Sequence, residues 1–593
     1  MRSSRLIPAG GYRTWLLLGL TLLFVLAVRV RLREMPLERD EGEYAYAGQL
    51  LLQGIPPYKE LFNAQLPGPY AVYALIMALF GQTATGIHLG VTLVNLATII
   101  LTFFLGRRLL DEAAGVAAAA SYALLSLSPS VFGLAGHATH FVVLFAIAGF
   151  LVLLRWMEAI KRAPLDRRRF WEWRLFGAGL LFGLAFLMKQ HGIFFCLLAV
   201  LFLLWTRLGQ FFEALAEVPR GRGHFRKRRS RRNGGRERGL RPSSESSAGL
   251  AALNTIPPAL SLPRISAELA ALTLGIALPY AATCLLLWSA GAYHQFTFWT
   301  ITYAAKYTSA VSLVDVPELL KALGIAVGAN VVLWIMPWLS GVLIWSDERL
   351  DTKRRVFLVA LLAFSFASAS VGFYFRGHYF ILALPAMALL IGMTVSRGMR
   401  LMRRNRSLDV MLAAPVLLVF GAGLVTALLG NASFWFGATP AEASKSTYGT
   451  TLFVEAVNVA AELKRITPKE ARIAVIGSEP EIYFYAHRRA ATGHIYMYPL
   501  MENQPYAQKM QGEMMAEVER ARPEAAVFVK DNFSWLAGPE TEKRVIDWWQ
   551  GYAATNLNVL SIVKIEDVVG DADAQRNAAE TEKHMIVYQR KLR

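Results

Sequence analysis

The sequence predicts a polytopic α-helical membrane protein with about eleven transmembrane helices and a C-terminal α/β domain. Of its 593 residues, 55% are hydrophobic, and the mean hydropathy is +0.37. The apolar residues fall in long runs, and a hydrocarbon core about 30 Å thick needs about 20 apolar residues per helix. After residue 430 these runs stop, and short strand-like stretches alternate with helical ones.

Eleven apolar runs predict the spans of a membrane domain over residues 1–430. The first run follows a basic lead and has no small-residue cleavage site, so we interpret it as an uncleaved span. Cys196 and Cys284 both lie inside runs, which argues against a disulfide framework. The runs cover residues 14–31, 85–105, 113–128, 139–154, 175–188, 192–206, 267–289, 322–345, 356–373, 379–396 and 410–429.

The distribution of Lys and Arg predicts the orientation, because basic residues in short loops are retained on the cytoplasmic side. With a cytoplasmic N-terminus, the basic clusters at residues 107–108, 155–174, 207–265, 347–355 and 397–406 all lie inside. We therefore expect a multi-pass protein of the inner (plasma) membrane. Its loop 32–84 and its α/β domain, residues 431–593, would lie outside the cytoplasm.

The loop at residues 207–265 contains the basic stretch "RGRGHFRKRRSRRNGGRERG", which on charge alone is typical of a nucleic-acid patch. It lies between two spans, and Phe225 is the one aromatic residue of that stretch. We therefore interpret it as a disordered cytoplasmic loop that contacts anionic membrane lipids, and we expect no nucleic-acid partner. This distribution also accounts for the net charge of +19.

The last 160 or so residues contain three stretches that predict strands: "ARIAVIG", "AAVFV" and "HMIVYQRK". Between the first two, "PEIYFYAHR" and "KMQGEMMAEVERAR" have the pattern of helices. The stretch "VIGSEPE" has a single glycine after its strand and therefore lacks a dinucleotide-binding fingerprint.

Four acids, Glu38, Asp40, Glu41 and Glu43, lie within six residues just after the first span. One interpretation is structural: Asp40 caps a helix whose first turn carries the next acids, and Gly54 ends it. A cap needs one carboxylate, however. A carboxylate at the outer surface is also suited to accept a proton from a hydroxyl that arrives from water, so a catalytic site is the second interpretation.

The pattern Asp40-Glu41-x-x-Tyr44-Ala45, followed by "GIPPYKELFNAQLPGPYAVY", resembles the first outer loop of bacterial members of glycosyltransferase family 39. The span layout and the late stretch "GHYFILALP" resemble that family as well. These are GT-C fold enzymes, related to protein O-mannosyltransferases and to the aminoarabinose transferase of lipid A. The resemblance implies an inverting transfer of a sugar from a polyprenyl-phosphate carrier to an extracytoplasmic lipid, glycan or protein. It implies catalytic roles for Asp40, as base, and Glu41, with the C-terminal domain covering the active face and helping to choose the acceptor.

The sequence departs from the family pattern at two places. Where relatives often have Lys-Pro-Pro, this chain has Gln65-Leu66-Pro67, so Lys59 or Arg376 would have to supply the missing cation to the carrier phosphate. Where relatives usually have an acid, this chain has His140, which lies three residues after His137. The two histidines could bind a divalent metal ion, or they could form local hydrogen bonds only.

Other outward-facing polar residues are candidates for substrate binding. Lys189 lies in a tight outer turn, and Arg376 and His378 lie at the end of a span. One interpretation is that these side chains only extend to the membrane–water interface, as charged residues near a membrane commonly do. The other is that they bind the departing phosphate of the carrier, to which arginine can donate two parallel hydrogen bonds. Four tyrosines could stack on the sugar or the prenyl chain, or belong to an interfacial belt: Tyr44, Tyr58, Tyr374 and Tyr379.

Two rival functions remain at this point. A secondary transporter or lipid flippase also has many spans, but the sequence has no visible internal symmetry of the kind that transporters show. A polysaccharide polymerase or ligase would use a diphosphate-linked glycan, whereas the family resemblance implies a monophosphate-linked sugar. The chemistry of the carrier would distinguish these two enzymes.

Overall fold

The computed structural model of the chain describes residues 11–160, 172–217, 260–307, 323–538, 541–568 and 582–591. The whole basic stretch of the loop 207–265, residues 220–239, lies outside the described residues. All helices, strands and side-chain contacts that follow belong to the described residues.

Long helices coincide with the eleven predicted spans. Within the described residues, six apolar helices are long enough to cross a membrane, namely Tyr12–Arg31, Ala84–Leu109, Ala138–Ile160, Gln190–Leu215, Leu262–Ser289 and Ser407–Gly437. The other predicted spans contain the helices Glu112–Leu125, Glu172–Met188, Val331–Trp345, Thr352–Ala369 and Leu384–Arg404. The chain thus has the helices of a membrane protein, while the count of eleven spans stays a prediction.

The predicted outer loop at residues 32–84 is largely helical. The helix Arg39–Leu52, called the acidic helix below, carries Asp40, Glu41 and Glu43. A second helix, Gly68–Phe80, is apolar but only 13 residues long, and the sequence reading missed it. The acidic helix ends at Leu52, and Gly54, two residues later, has a φ of +79°, which lies in the region that favours glycine.

The C-terminal segment, residues 431–593, contains five strands: Arg472–Ile476 (β1), Arg489–Ala490 (β2), Ala525–Lys530 (β3), Leu557–Lys564 (β4) and His584–Arg590 (β5). They form one sheet in the order β2-β1-β3-β5-β4. Strand β1 pairs in parallel with β2 and β3, whereas β5 pairs antiparallel with β3 and β4. Three of these strands match the predicted ones, and β2 and β4 were not predicted.

Helices surround this sheet, and two of them, Glu481–Ala486 and Ala507–Ala521, were predicted from the sequence. The division into two domains and the side of the membrane on which the sheet lies remain predictions. The remaining helices of the segment are Pro440–Tyr448, Leu452–Ile466, Tyr498–Met501, Asn532–Trp535 and Arg544–Asn556.

The C-terminal segment packs directly on the acidic helix. The Arg39 guanidinium donates hydrogen bonds to the Ser478 carbonyl, at 2.6 Å, and to the Glu479 carboxylate, at 2.9 Å. Gly42 faces the backbone of Glu481 so closely that any Cβ at position 42 would overlap it. The first outer helix and the sheet therefore form one packed unit.

Candidate active site

The acidic helix is capped by Glu38 and not by Asp40, which corrects the structural interpretation offered above. The Glu38 carboxylate accepts a hydrogen bond from the Glu41 backbone N–H at 3.0 Å, and the Glu41 carboxylate in turn accepts one from the Glu38 N–H at 3.5 Å. This reciprocal pair is a capping box. Asp40 is the second residue of the helix, so its carboxylate is available for another purpose.

Glu41 is fully buried and connects the acidic helix to the membrane helices. Its carboxylate accepts a hydrogen bond from the Gly136 N–H at 2.5 Å and contacts His88 Nε2 at 3.1 Å. Glu43 accepts hydrogen bonds from the Tyr70 hydroxyl and, at 2.7 Å, from the Asn63 amide. Both carboxylates therefore position neighbouring segments.

Asp40 lies on the wall of a cavity of about 150 Å³. The other wall residues come from segments 63–65, 189–191, 303–304, 371–379 and 496–502. Segments 189–191 and 371–379 each join two apolar helices. The predicted topology places all five segments outside the cytoplasm, and this orientation stays a prediction.

Two cations share the cavity with Asp40. The Lys189 Nζ lies 4.5 Å from the centre of the Tyr379 ring, and the Arg376 guanidinium lies 5.7 Å from that of Tyr374. Burial lowers the pKa of Lys189 to about 8. Burial opposes ionisation of Asp40, but the close His137 imidazole and the charges of Lys189 and Arg376 hold the Asp40 pKa well below its ordinary value. Asp40 is therefore a carboxylate at neutral pH.

Asp40 also belongs to a group that could hold a metal ion, together with His137 and His378. One ligand atom from each residue lies within 4.8 Å of the other two, and the imidazole rings stack with their centres 4.0 Å apart. Both His137 ring nitrogens and Nδ1 of His378 are buried and have no hydrogen-bond partner among the described residues. Such unpartnered imidazole nitrogens beside a carboxylate are suitable ligands for a divalent cation.

The surroundings shift the pKa values of the two histidines in opposite directions. Burial lowers the pKa of His378 well below its ordinary value, and the positive charges of His137, Lys189 and Arg376 lower it further. Burial also tends to lower the pKa of His137, but the charge of Glu38 and the interaction with Asp40 outweigh it and raise the His137 pKa. Because an imidazole must be neutral to bind a metal ion, the shift at His378 favours that role and the shift at His137 opposes it.

The C-terminal segment forms one side of the cavity, through residues 493–502, which we call the roof segment. The Tyr496 hydroxyl donates a hydrogen bond to Asp40 at 3.4 Å, and the Tyr303 hydroxyl donates one to the Glu502 carboxylate at 2.6 Å. The Phe62 N–H donates to the Gly493 carbonyl at 2.9 Å. The roof segment is therefore attached both to the acidic-helix loop and to the helical turns after Leu262–Ser289.

Seven of the residues singled out from the sequence line this cavity: Asp40, Gln65, Lys189, Tyr374, Arg376, His378 and Tyr379. The others do not line it. Glu41 and Tyr44 are buried elsewhere, and Lys59 is exposed on the surface. His137 lies next to Asp40, at 3.6 Å, whereas His140 is outside the metal group. The pair His137 and His140 is thus replaced, as a potential metal site, by Asp40, His137 and His378.

Several wall residues were not predicted from the sequence. Asn63 lies two residues before Gln65 and could have been found by considering the whole of that outer loop. The roof residues Tyr496, Tyr498 and Glu502 had no such signal. They lie more than 400 residues beyond Asp40 in the sequence, and only the packing of the sheet brings them to it.

Comparisons with known proteins bear on the family and the fold of the chain. Residues 65–215 match the family model described as dolichyl-phosphate-mannose-protein mannosyltransferase. No curated protein sequence matches the chain. Among solved structures, ArnT from Cupriavidus metallidurans bound to undecaprenyl phosphate is 16% identical, with a TM-score of 0.52 over 98% of this chain and 98% of its own.

Two further structures are those of the Archaeoglobus fulgidus oligosaccharyltransferase. With a tethered acceptor peptide it is 12% identical, at a TM-score of 0.49 over 87% of this chain and 69% of its own. In complex with an inhibitory peptide and a dolichol-phosphate it is 11% identical, at a TM-score of 0.48 over the same shares. The resemblance to GT-C glycosyltransferases is therefore confirmed, since residues 65–215 carry the mannosyltransferase family pattern and the chain as a whole has the fold of ArnT.

Proposed function

We propose that this membrane protein transfers a sugar from a polyprenyl-phosphate carrier to an acceptor hydroxyl outside the cytoplasm, with inversion at the sugar C1. One observation carries the proposal: a single cavity contains the Asp40 carboxylate together with Lys189 and Arg376. A lipid-linked sugar phosphate needs cations at its phosphate and a proton acceptor on the opposite side of C1. The description of the matching family model, which names a dolichyl-phosphate sugar, supports the same donor class.

In the proposed reaction, Lys189 and Arg376 bind the carrier phosphate. The charge on that phosphate grows as the glycosidic bond breaks, so cations fixed beside it stabilise the transition state more than the ground state. The guanidinium of Arg376 can donate two parallel hydrogen bonds to phosphate oxygens, whereas Lys189 acts as a point charge.

Asp40 takes the proton of the acceptor hydroxyl while that oxygen attacks C1 from the face opposite the phosphate. The bond from C1 to the phosphate oxygen breaks as the new bond forms, and the carrier leaves as its monophosphate. Asp40 is ionised at neutral pH because the positive groups around it lower its pKa. It therefore accepts the proton only when the acceptor hydroxyl becomes acidic in the transition state. No nucleotide sugar is required outside the cytoplasm.

Asp40, His137 and His378 would be the ligands of a divalent cation, which would supply a further positive charge to the cavity. Tyr496 holds the Asp40 carboxylate from the roof side. Because the roof segment forms one wall of the cavity, the C-terminal segment would help to determine which acceptor can reach Asp40.

The test is transfer in proteoliposomes from an isotopically labelled polyprenyl-phosphate sugar. We expect label in the acceptor fraction, release of polyprenyl phosphate, and an anomeric configuration in the product opposite to that of the donor, read by NMR. Transfer from a diphosphate-linked glycan only, or retained configuration, would contradict the proposal. Mass spectrometry of cells that lack the chain should show the accumulated lipid-linked monosaccharide and so identify the sugar.

A reporter enzyme tests the sidedness that the proposal needs. A reporter fused after residue 593 should be active only outside the cytoplasm, and one inserted within residues 220–241 only inside it. The reverse pattern would place Asp40 and Arg376 in the wrong compartment for an extracytoplasmic acceptor.

A further inference from the structure

The end of the helix Leu384–Arg404 that lies away from the cavity carries a second polar cleft, of about 40 Å³. At 1.5 Å per residue, a helix of this length spans about 30 Å, the thickness of a hydrocarbon core. Its N-terminal end adjoins the cavity residues 371–379, so the cleft lies at the opposite surface of the membrane domain. The cleft is lined by Ser346, Glu348, Arg397, Arg400, Leu401 and Arg404.

Three arginines line this cleft at positions 397, 400 and 404, a spacing that puts them on one face of the helix. Arg397 interacts with Asp347 at 3.7 Å, and its Nε is buried without a hydrogen-bond partner among the described residues. Within the described part of the chain, Arg400 and Arg404 form no ion pair. Asp347 pairs with Arg397, and Glu348 is the one carboxylate among the residues that line the cleft, so the guanidinium groups of Arg400 and Arg404 leave an excess of positive charge that favours an anion.

The surroundings of the cleft indicate that the anion is part of a lipid. Trp345, which directly precedes Ser346, is 57% exposed and lies under the guanidinium of Arg355 at 5.8 Å. Exposed tryptophans of membrane proteins lie at the level of the lipid headgroups. The next helix, Ser407–Ala432, carries Leu408, 67% exposed, and Met411, 72% exposed, in its first turns. Exposed apolar side chains of a membrane protein are suited to contact acyl chains, which favours a lipid over a soluble anion.

We infer that this cleft binds the phosphodiester headgroup of an anionic phospholipid in the leaflet opposite the cavity. Arg400 and Arg404 pair with the phosphate oxygens, and Trp345 and Leu408 contact the lipid around them. Basic pockets between membrane helices are suited to such headgroups. The inference does not depend on the proposed transferase activity, since it concerns the other surface of the molecule.

The test measures binding of short-chain phosphatidylglycerol to the purified full chain in detergent, by native mass spectrometry, with phosphatidylcholine as the neutral lipid. We expect a saturable phosphatidylglycerol site that phosphatidylcholine does not occupy. The double variant Arg400→Gln and Arg404→Gln should bind about 30-fold more weakly, since each arginine near the surface contributes about 1 kcal/mol and about 1.4 kcal/mol is tenfold. Inorganic phosphate at the same concentration should not displace the lipid.

The matched control is the double variant Arg403→Gln and Arg406→Gln, which removes the same charge from arginines outside the cleft. It should bind phosphatidylglycerol nearly as the parent does. Glu348→Gln should bind more tightly, because it removes the one carboxylate that lines the cleft, and a gain of affinity cannot result from unfolding. Equal loss in both double variants, unchanged binding by Arg400→Gln with Arg404→Gln, or displacement by free phosphate would overturn the inference.

Discussion

The hydroxyl of Tyr496 donates a hydrogen bond to the carboxylate of Asp40, although 456 positions separate the two residues in the sequence. The contact joins the roof segment to the acidic helix at the point where we expect the chemistry to occur. A hydrogen bond to an ionised group is worth about 1.5–3 kcal/mol. At 3.4 Å the contact is long, so it orients Asp40 more than it stabilises the fold.

Tyr496→Phe should lower kcat about fivefold and leave the melting temperature nearly unchanged, because the phenyl ring keeps the packing and only the hydroxyl is lost. The measurement is steady-state transfer in proteoliposomes alongside thermal unfolding in detergent. The matched control is Tyr498→Phe, whose hydroxyl donates to the Phe533 carbonyl instead of Asp40. If the two variants lose the same activity, Tyr496 acts through general packing of the roof.

Asp40→Asn should lower transfer by roughly 10²–10⁴-fold, since the amide keeps the shape of the carboxylate but cannot accept the proton. The free energy of unfolding should change little, because Glu38 and not Asp40 caps the helix. Turnover of purified protein from a polyprenyl-phosphate sugar is the measurement. Near-normal turnover would remove Asp40 from the mechanism.

Glu38→Ala provides the complementary variant, because it removes the cap. We expect it to lower the free energy of unfolding by about 1 kcal/mol, the usual contribution of a capping residue. A larger loss of stability in Asp40→Asn than in Glu38→Ala would mean that the two acids have exchanged the roles assigned to them here.

Arg376→Lys should raise the KM for the donor and have only a small effect on the stability of the fold. Lysine keeps the positive charge but cannot donate the two parallel hydrogen bonds of a guanidinium group. The expected rise is about tenfold, which corresponds to about 1.4 kcal/mol. Lys59→Gln is the control: Lys59 is an exposed cation outside the cavity, and its loss should leave the KM unchanged. Equal effects of the two variants would reduce Arg376 to a general surface charge.

Removal of a divalent metal by a chelator should slow transfer, and added metal should restore it. His378→Ala should lower the metal content of the purified protein, measured by elemental analysis, whereas His140→Ala should retain it because His140 lies outside the group. The metal content is a readout independent of activity. Loss of metal in His140→Ala but not in His378→Ala would restore the ligand pair first expected from the sequence.

Glu481→Gln should stabilise the protein at alkaline pH. Burial raises the pKa of Glu481 well above its ordinary value of 4.5, the charge of Glu479 adds to this, and Arg39 opposes it. Both carboxyl oxygens are buried without a hydrogen-bond partner among the described residues. The folded protein thus keeps a proton that the unfolded chain releases, so the contribution of Glu481 to stability is greatest below pH 4.5 and decreases as the pH rises.

Melting temperatures between pH 5 and pH 8.5 test this. At pH 8.5 the melting temperature of the variant should be higher than that of the parent protein, and this difference in melting temperature should become smaller towards pH 5. A difference independent of pH would mean that Glu481 is ionised, and paired, in the folded protein. Glu442→Gln, on an exposed helix start of the same segment, serves as the comparison.

The membrane helices were predictable because a bilayer requires long apolar runs, and each run in the sequence contains a helix. The helix Gly68–Phe80 was missed because its 13 residues are too few for a span and its apolar pattern has no distinct period. Strands β1 and β3 are buried and apolar, and were predicted. Strand β4 has Val559 and Ile562 exposed, and β2 has only two residues, so neither has the pattern of a buried strand.

The sequence predicted only those site residues that can be recognised within a single loop. Asp40, Lys189 and Arg376 are charged residues next to apolar runs, and the sequence alone singles them out. The position of the cap was missed because an aspartate and a glutamate two residues apart both fit the start of the helix. The partnership of His378 with His137 and the contact of Tyr496 with Asp40 are tertiary, and no local pattern encodes them.

The distance along the chain between Asp40 and the roof segment has a consequence for biosynthesis. A ribosome synthesises the acidic helix more than 400 residues before residues 493–502, so Asp40, Lys189 and Arg376 are all made before the wall that the roof segment forms. A chain that stops before residue 493 would keep the carboxylate and both cations but lack the wall residues Tyr496, Tyr498 and Glu502. Its cavity would therefore be open on that side.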